Sequence, residues 1–163
     1  MVFRSLVIMT FCLWSCAFYA QDHIQFKNYT ITDGLSQSVV YAIEQDDLGA
    51  LWLGTQDGIN RFNGRRFEIF STDTDQQISS DYIHIIKKDQ GGNLWMGSYN
   101  GLIKYSKKDE TFHSYSVDSS LKERLDIHAL EVDNAGIIWL GTATGQVYQF
   151  NPLDEKFTKI SHK

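Results

Sequence analysis

The sequence predicts an all-β protein: a β-propeller, made of three four-stranded antiparallel blades of an incomplete propeller. Three observations carry this. A pattern recurs as residues 46–58 (DDLGALWLGTQDG), 89–101 (DQGGNLWMGSYNG) and 133–145 (DNAGIIWLGTATG). Its tryptophans, Trp52, Trp95 and Trp139, lie 43 and 44 residues apart, a spacing usual for propeller blades. Around each copy the chain divides into short apolar runs punctuated by turn residues, with no helical segment between them.

Five columns of the repeat keep their intervals in all three copies: Asp46, Asp89, Asp133; Gly49, Gly92, Gly136; Trp52, Trp95, Trp139; Gly54, Gly97, Gly141; and Gly58, Gly101, Gly145. The first twenty residues precede this pattern and have a different character. Arg4 is followed by an apolar run from Leu6 to about Ala17 and then by polar Gln21, Asp22 and His23. That is the layout of a secretory signal peptide, residues 1–20, cleaved after Ala20 or Ala17. The run is shorter than the roughly 20 residues of a membrane span, so no span is expected once the signal is removed. Both cysteines, Cys12 and Cys16, fall inside this segment, and the exported chain has no thiol chemistry. Leu13–Cys16 also resembles a lipoprotein processing site, with Trp14 a poor fit to it.

Residues 21–163 are read as the partial propeller, with blades at about 39–71, 83–116 and 127–160. Residues 24–30 echo the outer strand at Phe67–Phe70 and are taken as a ring-closing outer strand. Inner strands are expected at Val39–Gln45, Ile83–Lys88 and Ile127–Val132, apolar and β-branched enough to be covered on both faces. Second strands carry the tryptophans. Third strands include Ile59–Phe62, Leu102–Tyr105 and Gln146–Phe150, and outer strands begin near Phe67, Phe112 and Phe157. Asp57-Gly58, Asn100-Gly101 and Thr144-Gly145 supply two-residue hairpin turns that need positive φ, and Asn63-Gly64 repeats the signal between strands three and four. The recurrent aspartates cap turn N–H groups, and the tryptophans pack blade against blade.

The full chain has 163 residues and a formal charge of −5. Its acidic balance and lack of clustered basic residues exclude the electrostatic footprint of a nucleic-acid binder. Aromatic residues make up 13% of the chain, which suits a β-rich protein.

The repeat columns, together with Asn60-Arg61-Phe62-Asn63-Gly64, Phe67 and the entry segment Tyr29–Val40, resemble the two-component regulator propeller repeat. The likeness covers about residues 22–160. It implies the periplasmic sensor region of hybrid two-component histidine kinases, signalling through a phosphorelay and often tuned to carbohydrate fragments. In that family the propeller is followed by an immunoglobulin-like domain, a membrane helix, kinase and receiver domains and often a helix-turn-helix output domain. This sequence carries none of those parts, and a ring typically takes four to eight blades. The chain is therefore read as a truncated or split sensor without kinase activity. Its expected partners are an oligosaccharide and the remaining propeller blades or a second copy of itself. A stand-alone exported binding module is the alternative.

No catalytic motif, metal site or cofactor is assigned. His84 and His128 occupy equivalent places in successive inner strands, with Tyr41 in the first copy. Because no carboxylate recurs at matching positions, the column is read as channel-lining or structural polarity. Sialidase-like chemistry would need an arginine cluster, and three of the four arginines after residue 20 (Arg61, Arg65 and Arg66, but not Arg124) belong to one hairpin. In a four-stranded meander, the loops between strands two and three and those between blades emerge on the same face. This places Tyr82, Tyr99, Asn100 and Arg124 as candidate sugar contacts, since aromatic faces and planar donors suit hydroxylated rings.

Overall fold

A computed structural model describes residues 25–117 and 124–160. The proposed signal peptide, both cysteines, His23, His162 and part of the 116–126 connection lie outside the described residues. The described chain forms twelve strands in three four-stranded sheets, each a simple antiparallel meander. The first sheet is β1 (Ala42–Gln45), β2 (Leu51–Gly54), β3 (Ile59–Phe62) and β4 (Phe67–Phe70). The second is β5 (Ile83–Lys88), β6 (Leu94–Ser98), β7 (Gly101–Ser106) and β8 (Thr111–Tyr115). The third is β9 (Ile127–Val132), β10 (Ile138–Thr142), β11 (Val147–Asn151) and β12 (Lys156–Ile160).

The tryptophans hold one register throughout. Trp52 faces Glu44 and Arg61, Trp95 faces Lys87 and Lys104, and Trp139 faces Glu131 and Gln149 across the ladders. Equal spacing in the chain has thus become equal position in the blade.

Two cores fill the spaces between successive sheets. Trp52 packs with Ile59, Ile83, Met96, Tyr105 and Phe112, and Trp95 packs with Ile127, Leu130, Ile138, Leu140 and Phe150. Trp52 is 0% and Trp95 1% exposed, whereas Trp139 is 38% exposed because no described blade follows it. The glycine two residues after the first two tryptophans sets how closely the next sheet approaches. A Cβ on Gly97 would lie 2.6 Å from Ile127 Cγ2 and 3.0 Å from the Ile127 carbonyl, and Gly54 meets Ile83 in the same way.

Two sequence expectations are corrected. The inner strand expected at 39–45 starts its ladder only at Ala42, and its exposed Ile43 and Tyr41 show that it is not covered on both faces in this three-blade arrangement. Residues 25–30 form no strand in this three-blade arrangement, where no closing blade is described for them to join; Tyr29 packs its ring on Phe62 and Phe67 of the first sheet at 4.8 and 5.7 Å. The hairpin turns need positive φ only at the glycine, 109° at Gly58 and 110° at Gly101, while the residues before them remain at negative φ. Between strands three and four, Gly64 takes the left-handed conformation in the first blade, and Glu110 and Glu155 take it in the others.

The recurrent aspartates do cap turns, and they do more. Asp46 Oδ1 accepts the N–H groups of Leu48 and Ala50, while Oδ2 accepts Trp52 Nε1–H at 2.9 Å. Asp89 and Asp133 bind the indoles of Trp95 and Trp139 at the same distance. One carboxylate per blade therefore closes the turn and orients the main packing residue.

Candidate functional site

The second and third inner strands each carry an irregularity at the same place. Ile83 pairs with Ser98 and Ile85 with Gly97, leaving His84 as an extra residue; Ile127 pairs with Thr142 and Ala129 with Gly141, leaving His128 as an extra one. Such bulges unpair one residue and redirect its side chain. Here they stack the two imidazoles, with ring centroids 4.0 Å apart and 23° between planes.

The chain entering β9 adds a carboxylate. Asp126 Oδ1 lies 3.0 Å from His84 Nε2 and 3.1 Å from His128 Nε2. The His84 side chain is 8% exposed and that of His128 51%. Burial, together with the neighbouring His128, pushes the His84 pKa down, against the opposing pull of Asp126. His84 is therefore biased toward the neutral imidazole.

An aromatic cluster continues from these histidines. The Tyr82 ring lies 4.3 Å from His84, 5.2 Å from Tyr41 and 6.5 Å from Tyr99. A hydrogen bond with Tyr41 and partial desolvation raise the pKa of the Tyr82 hydroxyl. Arg124 lies over Tyr99, its Cζ 4.4 Å from the ring centroid, and Nη1 donates to the Tyr99 hydroxyl. Backbone bonds hold the loops of this face together: Gly58 N–H donates to Asp81, Gly101 N–H to Leu125 and Ala143 N–H to Asp126. The first two tie a β2–β3-type hairpin to the connection that leads into the next blade, and the third ties the β10–β11 hairpin to the connection that leads into its own blade.

Of the four candidate contacts, the structure brings Tyr82, Tyr99 and Arg124 into one cluster. Asn100 sits on the same hairpin as Tyr99 but turns its amide to the Ser79 carbonyl at 3.2 Å. Sequence reasoning left out Tyr41 and Asp126 as site residues and set the two histidines aside for want of a carboxylate at a repeating position. Asp126 supplies one at a position that does not repeat: it lies two residues before His128, where Tyr82 stands two residues before His84. The available signal was a search for carboxylates near the column in any one copy rather than in all of them.

Exposed ring faces beside a guanidinium and a His–Asp–His group can stack on apolar ring faces and hydrogen-bond to hydroxyls or anions.

Comparison with known proteins agrees with this architecture. Residues 34–57 match the family model for the two component regulator propeller. Over 73 residues, 44% of this chain, the sequence is 41% identical to Histidine kinase P4 of Formosa agariphila, of which that stretch is 5%. Among solved structures, the extracellular domain of BT3049 from B. thetaiotaomicron, named as a hybrid two component system, superposes with a TM-score of 0.72 at 23% identity, covering 83% of this chain and 20% of that one. The corresponding domain of BT4673 gives 0.65 at 22% identity, covering 89% and 18%. Virginiamycin B lyase from Staphylococcus aureus gives 0.59 at 15% identity, covering 76% and 41%. At these identities the structural likenesses establish the fold. The chain spans a small part of the kinase and about a fifth of the two-component domains.

Proposed function

We propose that this chain, which carries the two-component regulator propeller repeat, is part of an exported, periplasmic ligand-sensing propeller of a hybrid two-component system. It binds carbohydrate fragments and performs no phosphoryl transfer itself. The observation that carries the reading is the Tyr41–Tyr82–Tyr99–Arg124 cluster on the face that holds the interblade connections. Aromatic faces stack on the C–H faces of sugar rings, and Arg124 offers planar donors to hydroxyl or carboxylate groups. The family match and the extracellular two-component domains of the same fold supply the signalling context. Among the described residues no helix is long and apolar enough to cross a membrane.

A further blade of the same repeat is the proposed partner of the third sheet. Trp52 and Trp95 are each covered by the sheet that follows, and the exposed Trp139 presents the same register to an uncovered face.

Saturation-transfer NMR and calorimetry with neutral and acidic oligosaccharides from polysaccharide digests test the ligand. Binding should perturb the Tyr82 and Tyr99 ring signals and weaken about tenfold in Tyr99→Ala, the loss of a single stacking contact of about 1.4 kcal/mol. Saturable binding unchanged in both Tyr99→Ala and Arg124→Ala, or no binding across the panel, would overturn the assignment.

A further inference from the structure

The His84–Asp126–His128 group is set apart from the tyrosine cluster by its chemistry. Three donor atoms from two blades, His84 Nε2, Asp126 Oδ1 and His128 Nε2, all lie within 4.8 Å of one another. His84 Nε2 and Asp126 Oδ1 are both buried and lie 3.0 Å apart, at ion-pair distance but without the alignment of a hydrogen bond. A largely buried imidazole thus directs its nitrogen at a carboxylate oxygen in poor hydrogen-bond alignment, and a cation shared between the two would satisfy both atoms.

We propose that His84, Asp126 and His128 form a binding site for a divalent first-row transition ion of the zinc type. Metal bonds of about 2.0–2.1 Å at a tetrahedral angle set ligand atoms about 3.3 Å apart. The two nitrogen–oxygen separations of 3.0 and 3.1 Å are close to that edge and the two nitrogens lie within 4.8 Å of each other, so a turn of the stacked rings toward a common point admits the ion. Two imidazoles with one carboxylate favour zinc, cobalt, nickel or copper over magnesium or calcium, which prefer all-oxygen sites. The bulges at His84 and His128 present the two rings side by side, and the tight Gly97–Ile127 approach fixes the spacing of the strands that carry them. Three protein ligands leave a coordination position open, and the half-exposed His128 puts that position at the solvent side. The site stands on these three side chains and holds whether or not the neighbouring tyrosines bind a sugar.

The test uses the full chain purified without a histidine tag, stripped with chelator and titrated with ZnCl2 by calorimetry and with Co2+ by visible absorption. One equivalent should bind, with the d–d bands of a nitrogen–oxygen site, and histidine 15N spectra should show Nε2 of His84 and His128 shifting on zinc addition. His128→Ala and Asp126→Asn should each weaken zinc binding more than tenfold, at least the loss that outer-shell changes cause in metal sites. Circular dichroism and tryptophan fluorescence matching the parent chain confirm that the variants fold, and His113→Ala, on the outer strand β8, should leave the affinity unchanged. Absence of saturable zinc binding, unchanged affinity in His128→Ala, or 15N shifts confined to other histidines would overturn the site.

Discussion

The carboxylate of Asp133 accepts the indole N–H of Trp139 at 2.9 Å, although Trp139 lies on an uncovered sheet face. The same bond forms in the two blades where the tryptophan is fully enclosed. It therefore arises from the local turn and the six-residue interval, not from the burial that follows. The aspartate sets the indole before the next blade meets it.

Asp89→Ala should accordingly destabilise the chain by about 1–3 kcal/mol, the cost of leaving a buried donor unpaired, here Trp95 Nε1. Asp133→Ala should cost less, because water can reach the exposed Trp139 instead. Urea denaturation of the two variants measures the difference; equal losses would contradict it.

The glycine after each tryptophan makes a graded prediction. Gly97→Ala forces a Cβ into Ile127 at 2.6 Å and should cost about 1–3 kcal/mol through overpacking. Gly141→Ala meets only Ala129 Cβ, at 3.2 Å, and should be far milder. Thermal melts of the two variants decide the point, and a Gly141→Ala loss as large as that of Gly97→Ala would refute the reading.

Single-tryptophan variants should show Trp139 quenched by acrylamide much more strongly than Trp95, following their 38% and 1% exposures. Because the apolar surface around Trp139 is worth roughly 25 cal/mol per Å² when buried, the chain expressed without residues 1–20 should self-associate. Association should protect Trp139 as concentration rises, which sedimentation and quenching measured together will show. A strictly monomeric species at all concentrations would count against the covered-face proposal.

Asp133 should titrate below its ordinary 3.8, held down first by the Trp139 N–H bond and then by the Ile137 N–H, with smaller help from Ala135 and Gly136. A depressed carboxyl contributes stability that is complete above the unfolded value and lost as pH falls through the lower folded one. Its contribution should thus be constant above about pH 4 to 5 and fade only in more acidic solution. Carboxyl 13C NMR against pH checks the value. Replacing Trp139 with Phe should move it back upward, and an unmoved titration would show that the indole is not the main cause.

Blade number, strand order and the structural glycines were legible in the chain because each is a matter of local spacing. A turn aspartate, a tryptophan six residues later and a glycine two beyond that define a hairpin whose register follows from its own residues. Local spacing does not reach a segment whose role depends on what lies beside it. Ile24–Thr30 resembles an outer strand in composition, yet described residues 25–30 have no ladder partner, and Tyr29 settles on Phe62 and Phe67 instead.

What the sequence determined by itself, then, is the repeating blade and the Asp–Trp bond at its centre, since both are made between residues a few positions apart. Only the tertiary structure decided that Asp126 meets both His84 and His128, and that Arg124 lies over Tyr99. His84 and Asp126 are 42 residues apart, and Tyr99 and Arg124 are 25. No local periodicity brings such pairs together. Their meeting depends on the angle at which one twisted sheet packs on the next and on the two bulges that redirect the inner-strand histidines.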